Sequence, residues 1–372
     1  MDVAIIGGGL AAATLATELR KLEYDGSVSI FSDEAHLPYE RPPLSKGLLL
    51  GTTEEEKIFV HDEQWYREND VDLHLQQRVT KFDPQEHTLQ AGGETHSFEK
   101  LVLATGSAPR ILPEANASGK PVFYLRTLDH SRELSAAFKN KPDVAIVGGG
   151  WIGLEVAAAA RAAGCKVTAY VAEDLPLEHV VGPEVAPAFL DLHQSHGVQF
   201  ELGHLAKADE LAEHDIVVCG VGADPRISLA LTAGLKTDAG VLVDSALRTS
   251  HPDVYAIGDI AEHDHPLLGE RIMIGHWDNA IQQGRHVASN IAQGPTPYER
   301  QPYFFSDQYD LGMEYFGHAT GDVLSDPVIE GDLHGAFRVW WVKDGVVVAA
   351  MQANDWDASK ELREGVGKAL VR

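Results

Sequence analysis

Val3-Ala4-Ile5-Ile6-Gly7-Gly8-Gly9-Leu10-Ala11-Ala12 opens the chain and decides its fold. The first four residues are apolar and three are β-branched, which predicts a short buried strand. Gly7, Gly9 and Ala12 then form a G-x-G-x-x-A pattern, and an Ala/Leu-rich helix follows over 10–20. Small residues serve a tight turn, the approach of a pyrophosphate to the backbone, and close packing of helix on strand. The free N–H groups at the helix start face the phosphates. Such a motif alone is weak. Here a second strand, 27–32, also delivers Asp33 and Glu34 where a ribose-binding acid belongs.

The same pattern then returns. Asp143-Val144-Ala145-Ile146-Val147 reads as a strand, Gly148, Gly150 and Gly153 supply G-x-G-x-x-G, and an Ala-rich helix over 154–164 leads to a second strand over 166–171. Two phosphate-binding turns, each opening a βαβ unit, imply two dinucleotides.

The totals narrow the class. The 372 residues are 44% hydrophobic and 23% charged, as in an ordinary globular protein of two or three domains. No apolar run reaches the roughly 20 residues of a membrane span. Met1 leads directly into the first strand, so the sequence predicts no signal peptide. Cys165 and Cys219 lie far apart, which fits a reducing cytoplasm rather than a disulfide framework. A formal net charge of −26 argues against nucleic acid and anionic membranes as partners.

Between the two turns, Pro42-Pro43 forbids a helix through the middle of 34–47 and leaves Arg41 and Lys46 on a loop. By themselves they are either solvated charges or cations for a phosphate or flavin edge. A helix is predicted over 61–70, a strand over 71–79, a meander with a Gly-Gly turn over 80–100, and a buried strand running into Ala104-Thr105-Gly106. After the repeat come a helix over 183–196 and strands over 216–222, ending at Gly222, and 241–244. The strand 253–257 delivers Gly258-Asp259 on the ligand side of a doubly wound sheet, where an acid binds a hydroxyl-rich chain or caps a helix. A helix follows over 277–292, then aromatic strands at 303–305, 337–342 and 346–351 and a last helix over 357–370. His179, His193, His196 and His204 show no metal-ligand spacing and read as surface residues.

The chain resembles the two-dinucleotide flavoproteins of the glutathione-reductase superfamily, and within it the ferredoxin reductases of oxygenase systems. Tyr39-Glu40-Arg41-Pro42-Pro43-Leu44-Ser45-Lys46 carries the likeness, with Ala104-Thr105-Gly106, Leu125-Arg126-Thr127-Leu128, Gly150–Glu155, Tyr255–Asp259 and His276-Trp277-Asp278-Asn279-Ala280. The resemblance implies an α/β fold: two doubly wound Rossmann-like dinucleotide-binding domains plus a C-terminal α+β domain. FAD would occupy 1–111 with 238–298, NAD(P) 112–237, and an α+β interface domain 299–372. Gly7, Gly9 and Ala12 would cradle the FAD pyrophosphate and Asp33 the adenosine ribose. Arg41, Val79, Ala104, Thr105, Gly106 and Arg126 would line the FAD, and Gly258 and Asp259 would meet the ribityl chain. The helix entered through His276 and Trp277 would aim its N-terminus at the flavin N1–C2=O2 edge. Gly148, Gly150, Gly153, Glu173 and Gly222 would serve the nicotinamide nucleotide. Lys46 and Glu155 match a catalytic ion pair near flavin N5. Metal ligands are not implied.

The resemblance makes the chain an FAD-dependent NAD(P)H oxidoreductase that hands single electrons to a ferredoxin-type iron–sulfur protein. No C-x4-C stands in the first helix and no cysteine at position 46, so no thiol relays electrons. An NAD(P)H oxidase or diaphorase, and an NADH-responsive flavoprotein with an interaction role, are the competing readings. Three features depart from the pattern. Val171 occupies the usual place of the ribose-binding Glu, with Glu173 two residues on; residues 200–216 are shorter than the pattern, as if a hairpin were trimmed; and the chain, at −26, is itself acidic while its expected acceptors are acidic ferredoxins. Residues 170–180 hold three acids and no Lys or Arg, which predicts NADH in preference to NADPH. The oligomeric state stays open, a homodimer included.

Overall fold

The structure is a computed structural model and describes residues 1–370. The chain forms two compact units, one from residues 1–41, 55–108 and 224–301, the other from 42–54, 109–223 and 302–372.

The first unit is built on a five-stranded parallel sheet in the order Val254–Ala256, Lys100–Leu103, Val3–Ile6, Val28–Phe31, Val71–His74. Val3–Ile6 is central and buried along its whole length, as its unbroken apolar run requires. The helices Leu10–Lys21 and Trp277–Gln293 pack on one another at Gly284, where a Cβ would stand 2.7 Å from Ala11 O. The strand predicted over 71–79 is two elements. It stops at His74, Gln76 turns with φ 56°, and Val79–Asp83 begins an antiparallel meander with Thr88–Ala91 and Glu94–Ser97. A further small sheet joins Val241–Val243, Ala261–His265 and Glu270–Met273.

The second unit repeats the architecture. Its parallel sheet runs Gln199–Glu201, Lys166–Tyr170, Asp143–Val147, Ile216–Cys219, Val122–Phe123. Between Gln199–Glu201 and Ile216–Cys219 the described residues form one short helix, Ala208–Leu211, and no hairpin. The chain ends in a five-stranded antiparallel sheet, Tyr303–Gln308, Leu311–Gly317, Val346–Ala353, Phe337–Lys343, Val328–Gly331. One apolar cluster joins Leu154 and Phe189 to Met313 and Trp341 of that sheet. The last helix is shorter than predicted. Ser359–Gly365 ends there because Val366 turns extended and Lys368 O accepts from Val347 N.

The segment after Arg41 is also more ordered than its prolines suggest. Pro42–Ser45 is a 3-10 turn and Gly47–Leu50 a turn of α-helix, with Lys46 between them. Both prolines sit at the start of the turn, where a missing N–H costs nothing.

Candidate active site

In the first unit the glycine turn follows from backbone contact. Gly7 has φ 119°, and a Cβ there would stand 2.1 Å from Ala104 O on the neighbouring strand. Gly9 caps the Leu10–Lys21 helix with no side-chain bond to its N–H groups and no acid in its first turn. Apart from its immediate chain neighbours, no described residue would lie within 4 Å of a Cβ at Gly9. An uncapped helix start facing open space suits a pyrophosphate.

The sheet's C-terminal ends bring the polar partners. Asp259 follows Val254–Ala256, and its Oδ2 accepts from Ser107 Oγ at 2.6 Å. Gly275, just before the helix cap His276, lies close enough that its Cβ would be 3.7 Å from Asp259 Cγ. Gln283 Oε1 accepts from Gly258 N at 2.8 Å and ties that helix to the same turn. Asp33, at the end of Val28–Phe31, pairs with Arg226 Nη1 at 3.4 Å. Arg226 is itself fixed by backbone bonds to Gly106 O and from Thr105 Oγ1, both at 2.8 Å. Glu34 instead binds Arg41 Nη2 at 2.9 Å and the Tyr39 hydroxyl at 2.5 Å. Burial alone would raise the Glu34 pKa, but Arg41 and Tyr39 outweigh it and hold the carboxyl below its ordinary value. Val79 is buried at a register shift between Val79 and Lys81.

In the second unit Gly148 mirrors Gly7. Its φ is 110°, and a Cβ would stand 2.4 Å from Gly220 O. A Cβ at Gly153 would meet Gly148 O at 2.3 Å, so only glycine lets the Trp151–Ala162 helix sit on the turn. A cavity of about 680 Å³ opens beside it, lined by Gly148, Gly150, Glu173 and Gly222 but not by Gly153. Val171 is fully buried and takes no part; Glu173 faces the cavity with His179 at 3.4 Å. Arg110 and Lys207 also line it, cations from segments outside 170–180.

The Lys46–Glu155 ion pair lies in the same unit. Lys46 Nζ stands 2.7 Å from Glu155 Oε1, with side-chain exposures of 18% and 4%. Ser45 Oγ donates to Glu155 Oε2 at 2.5 Å and Ser306 Oγ to Oε1 at 2.7 Å. Such a desolvated charge needs this many donors. Phe305 lies under Lys46 Nζ, 5.6 Å from its ring centre. Burial raises the pKa of the neighbouring Asp307, Glu155 adds to it and Lys46 opposes. Arg126, also in this unit, is half-buried just before Thr127, the cap of the Leu128–Phe138 helix.

The histidines part company. His193, expected at the surface, is fully buried and bonded to Gln308. It lies on the inner face of Ala186–Ser195, where its ring finds a buried polar partner from a strand far off in sequence. His196 is exposed, and His179 and His204 border the cavity. Cys165 and Cys219 are free and buried, and burial pushes the Cys219 thiol up to about 11. Neither is a reactive thiolate.

Residues 1–284 match the family described as pyridine nucleotide-disulphide oxidoreductase. The chain belongs to that family. Residues 303–369 match a second family, the reductase C-terminal domain. Among curated relatives of this oxidoreductase is the 5,5'-dehydrodivanillate O-demethylase ferredoxin reductase subunit of Sphingobium, 36% identical over 94% of this chain and 89% of that one. The anthranilate 1,2-dioxygenase system ferredoxin–NAD(+) reductase component of Burkholderia cepacia is 36% identical over 94% and 90%. Among solved structures, a ferredoxin reductase from Rhodopseudomonas palustris is 32% identical, with TM-score 0.91 over 99% of this chain and 96% of that one. Putidaredoxin reductase, in its covalent complex with putidaredoxin, is 28% identical, with TM-score 0.91 over 98% and 94%.

Proposed function

We propose that this oxidoreductase takes a hydride from NADH on FAD and passes electrons singly to a ferredoxin-type iron–sulfur protein serving an oxygenase. FAD, when bound, supplies the conversion of one two-electron step into two one-electron steps. The observation that carries the reading is the buried Lys46–Glu155 pair in a chain with two uncapped, glycine-led helix starts. The names of the relatives point the same way.

The first unit fits FAD. Gly7, Gly9 and Ala12 would admit its pyrophosphate, Asp33 would bind the adenosine ribose, and Asp259, oriented by Ser107, the ribityl hydroxyls. The start of Trp277–Gln293 would place a positive dipole end toward negative charge gathering on the bound ring. In the second unit Gly148 and Gly150 would receive the nicotinamide nucleotide and Glu173 its 2′-hydroxyl. Glu173 and Glu178 face the cavity, and Lys207 Nζ has Glu210 at 3.9 Å, which favours NADH over a 2′-phosphate. Lys46 would present a cation, held by Glu155, where the hydride arrives. The two cysteines, buried and protonated, offer no disulfide relay and suit a reducing compartment.

Rapid mixing tests the reading. The purified yellow protein should be reduced by NADH, and then reoxidised faster by a ferredoxin than by oxygen. Rapid peroxide formation with no effect of any ferredoxin would overturn it.

A further inference from the structure

A line of buried hydrogen bonds leaves the Lys46–Glu155 pair and runs away from it through the same unit. Glu155 Oε1 accepts from Ser306 Oγ at 2.7 Å, Ser306 Oγ accepts from Gln308 Nε2 at 3.2 Å, and Gln308 Oε1 lies 2.7 Å from His193 Nε2. Tyr309 OH stands 3.5 Å from His193 Nδ1. Ser306, Gln308 and His193 are each at most 1% exposed. Ser306 and Gln308 share one face of the strand Tyr303–Gln308, because alternate residues of a strand point the same way.

The donors in this line all point toward Glu155. A carbonyl oxygen only accepts, so His193 must carry its proton on Nε2. That proton holds Gln308 Oε1 toward the ring and Gln308 Nε2 toward Ser306. Ser306 Oγ then accepts from Gln308 and has a single proton to give, which goes to Glu155. With the amide turned over, Gln308 Oε1 would face Ser306 and compete for that proton. The carboxylate would lose one of the two hydroxyl donors it has beside Lys46. An amide does not conduct protons at an ordinary rate, so the line orients rather than relays.

We propose that His193 is a positioning residue for the Lys46–Glu155 pair: its Nε2 proton fixes the Gln308 amide, and through Ser306 fixes the hydrogen bonding of Glu155. Burial lowers the His193 pKa to about 4, against the bond to Gln308, so the ring is neutral at working pH, as a defined tautomer requires. The proposal rests on the assignment of the pair to hydride transfer.

Two measurements on the holoenzyme test it. With ¹⁵N-histidine labelling, and the His193→Gln spectrum to assign the signal, His193 should show a protonated Nε2 and a bare Nδ1, unchanged from pH 8 to pH 6. A protonated Nδ1 overturns the proposal, and this readout needs neither turnover nor a stable variant. In single-turnover reduction by NADH, His193→Phe should be slowed about tenfold at unchanged NADH affinity and FAD content, because the pair is misplaced rather than removed. His193→Gln, which keeps an N–H donor, should recover most of the rate. A His193→Phe enzyme as fast as wild type, or a His193→Gln enzyme as slow as His193→Phe, overturns the proposal. Glu155→Gln separates the two levels. If it slows reduction while His193→Phe does not, only the positioning role falls; if neither slows it, the role of the pair falls too.

Discussion

Ser107 Oγ and Asp259 Oδ2, far apart in sequence, meet at 2.6 Å beyond the C-terminal ends of two adjacent parallel strands. The hydroxyl donates and the carboxylate accepts, so one oxygen of Asp259 is fixed while the side chain stays oriented for a ligand. Asp259→Ala removes a charged acceptor from a partly buried site. The apoprotein should then bind FAD about 10- to 100-fold more weakly, the equivalent of about 1–3 kcal/mol for such a bond. Ser107→Ala should cost less. Titration of apoprotein with FAD measures both, and an unchanged Kd in Asp259→Ala would remove Asp259 from the site.

Lys46→Met leaves Glu155 buried without its cation. Breaking a buried pair on one side is costly, and unfolding should become easier by about 3 kcal/mol. The double variant Lys46→Met/Glu155→Leu should be more stable than Lys46→Met alone, because no uncompensated charge remains. Urea unfolding of the three proteins decides it. A double variant less stable than Lys46→Met would show that the pair is not the stabilising unit.

The cavity beside Gly148 is lined by Glu173, with His179 beside it, and by the cations Arg110 and Lys207. NADH should be the better substrate by kcat/KM. Glu173→Ala should raise KM for NADH about tenfold with little change in kcat, since a ribose bond contributes equally before and during the hydride step. A wild-type preference for NADPH would instead assign Lys207 or Arg110 to a 2′-phosphate.

His263 lies buried in the strand Ala261–His265. Burial, helped by His265 and Arg271, lowers its pKa to about 4. The folded value is below the unfolded value of 6.5, so the unfolded chain binds the extra proton in between. Stability is therefore full above about pH 6.5 and falls as the pH drops toward 4. His263 should contribute about 2 kcal/mol of destabilisation between pH 7 and pH 5, and His193, with the same direction and value, a similar amount. Urea unfolding of His263→Leu at the two pH values should show a correspondingly smaller loss. An unchanged pH dependence would mean that the ring is not buried neutral.

What the sequence made legible was local. The turns at Gly7 and Gly148 are written in consecutive residues, because sterics at one backbone position dictate them. The partners of those turns were not legible. Arg226 reaches Asp33, and Ser306 and Gln308 reach inward, through sheet order and strand register that no short window contains. His193 read as a surface residue because nothing near it in sequence shows that Gln308 will face it. Lys207 escaped a charge argument confined to 170–180 because the cavity draws its wall from five separate segments.

The first unit is assembled from three stretches of chain, and the last of them, 224–301, supplies Asp259 and the helix Trp277–Gln293. A ribosome must therefore have passed Ala256 before the strand Val254–Ala256 can close against Lys100–Leu103, and Asp259 before that carboxylate can reach Ser107. Residues 109–223 are made in the meantime as an uninterrupted run with their own parallel sheet. The nascent N-terminal strands wait with an open edge until then, so holdase chaperones should engage the chain most between the synthesis of residue 108 and that of residue 256.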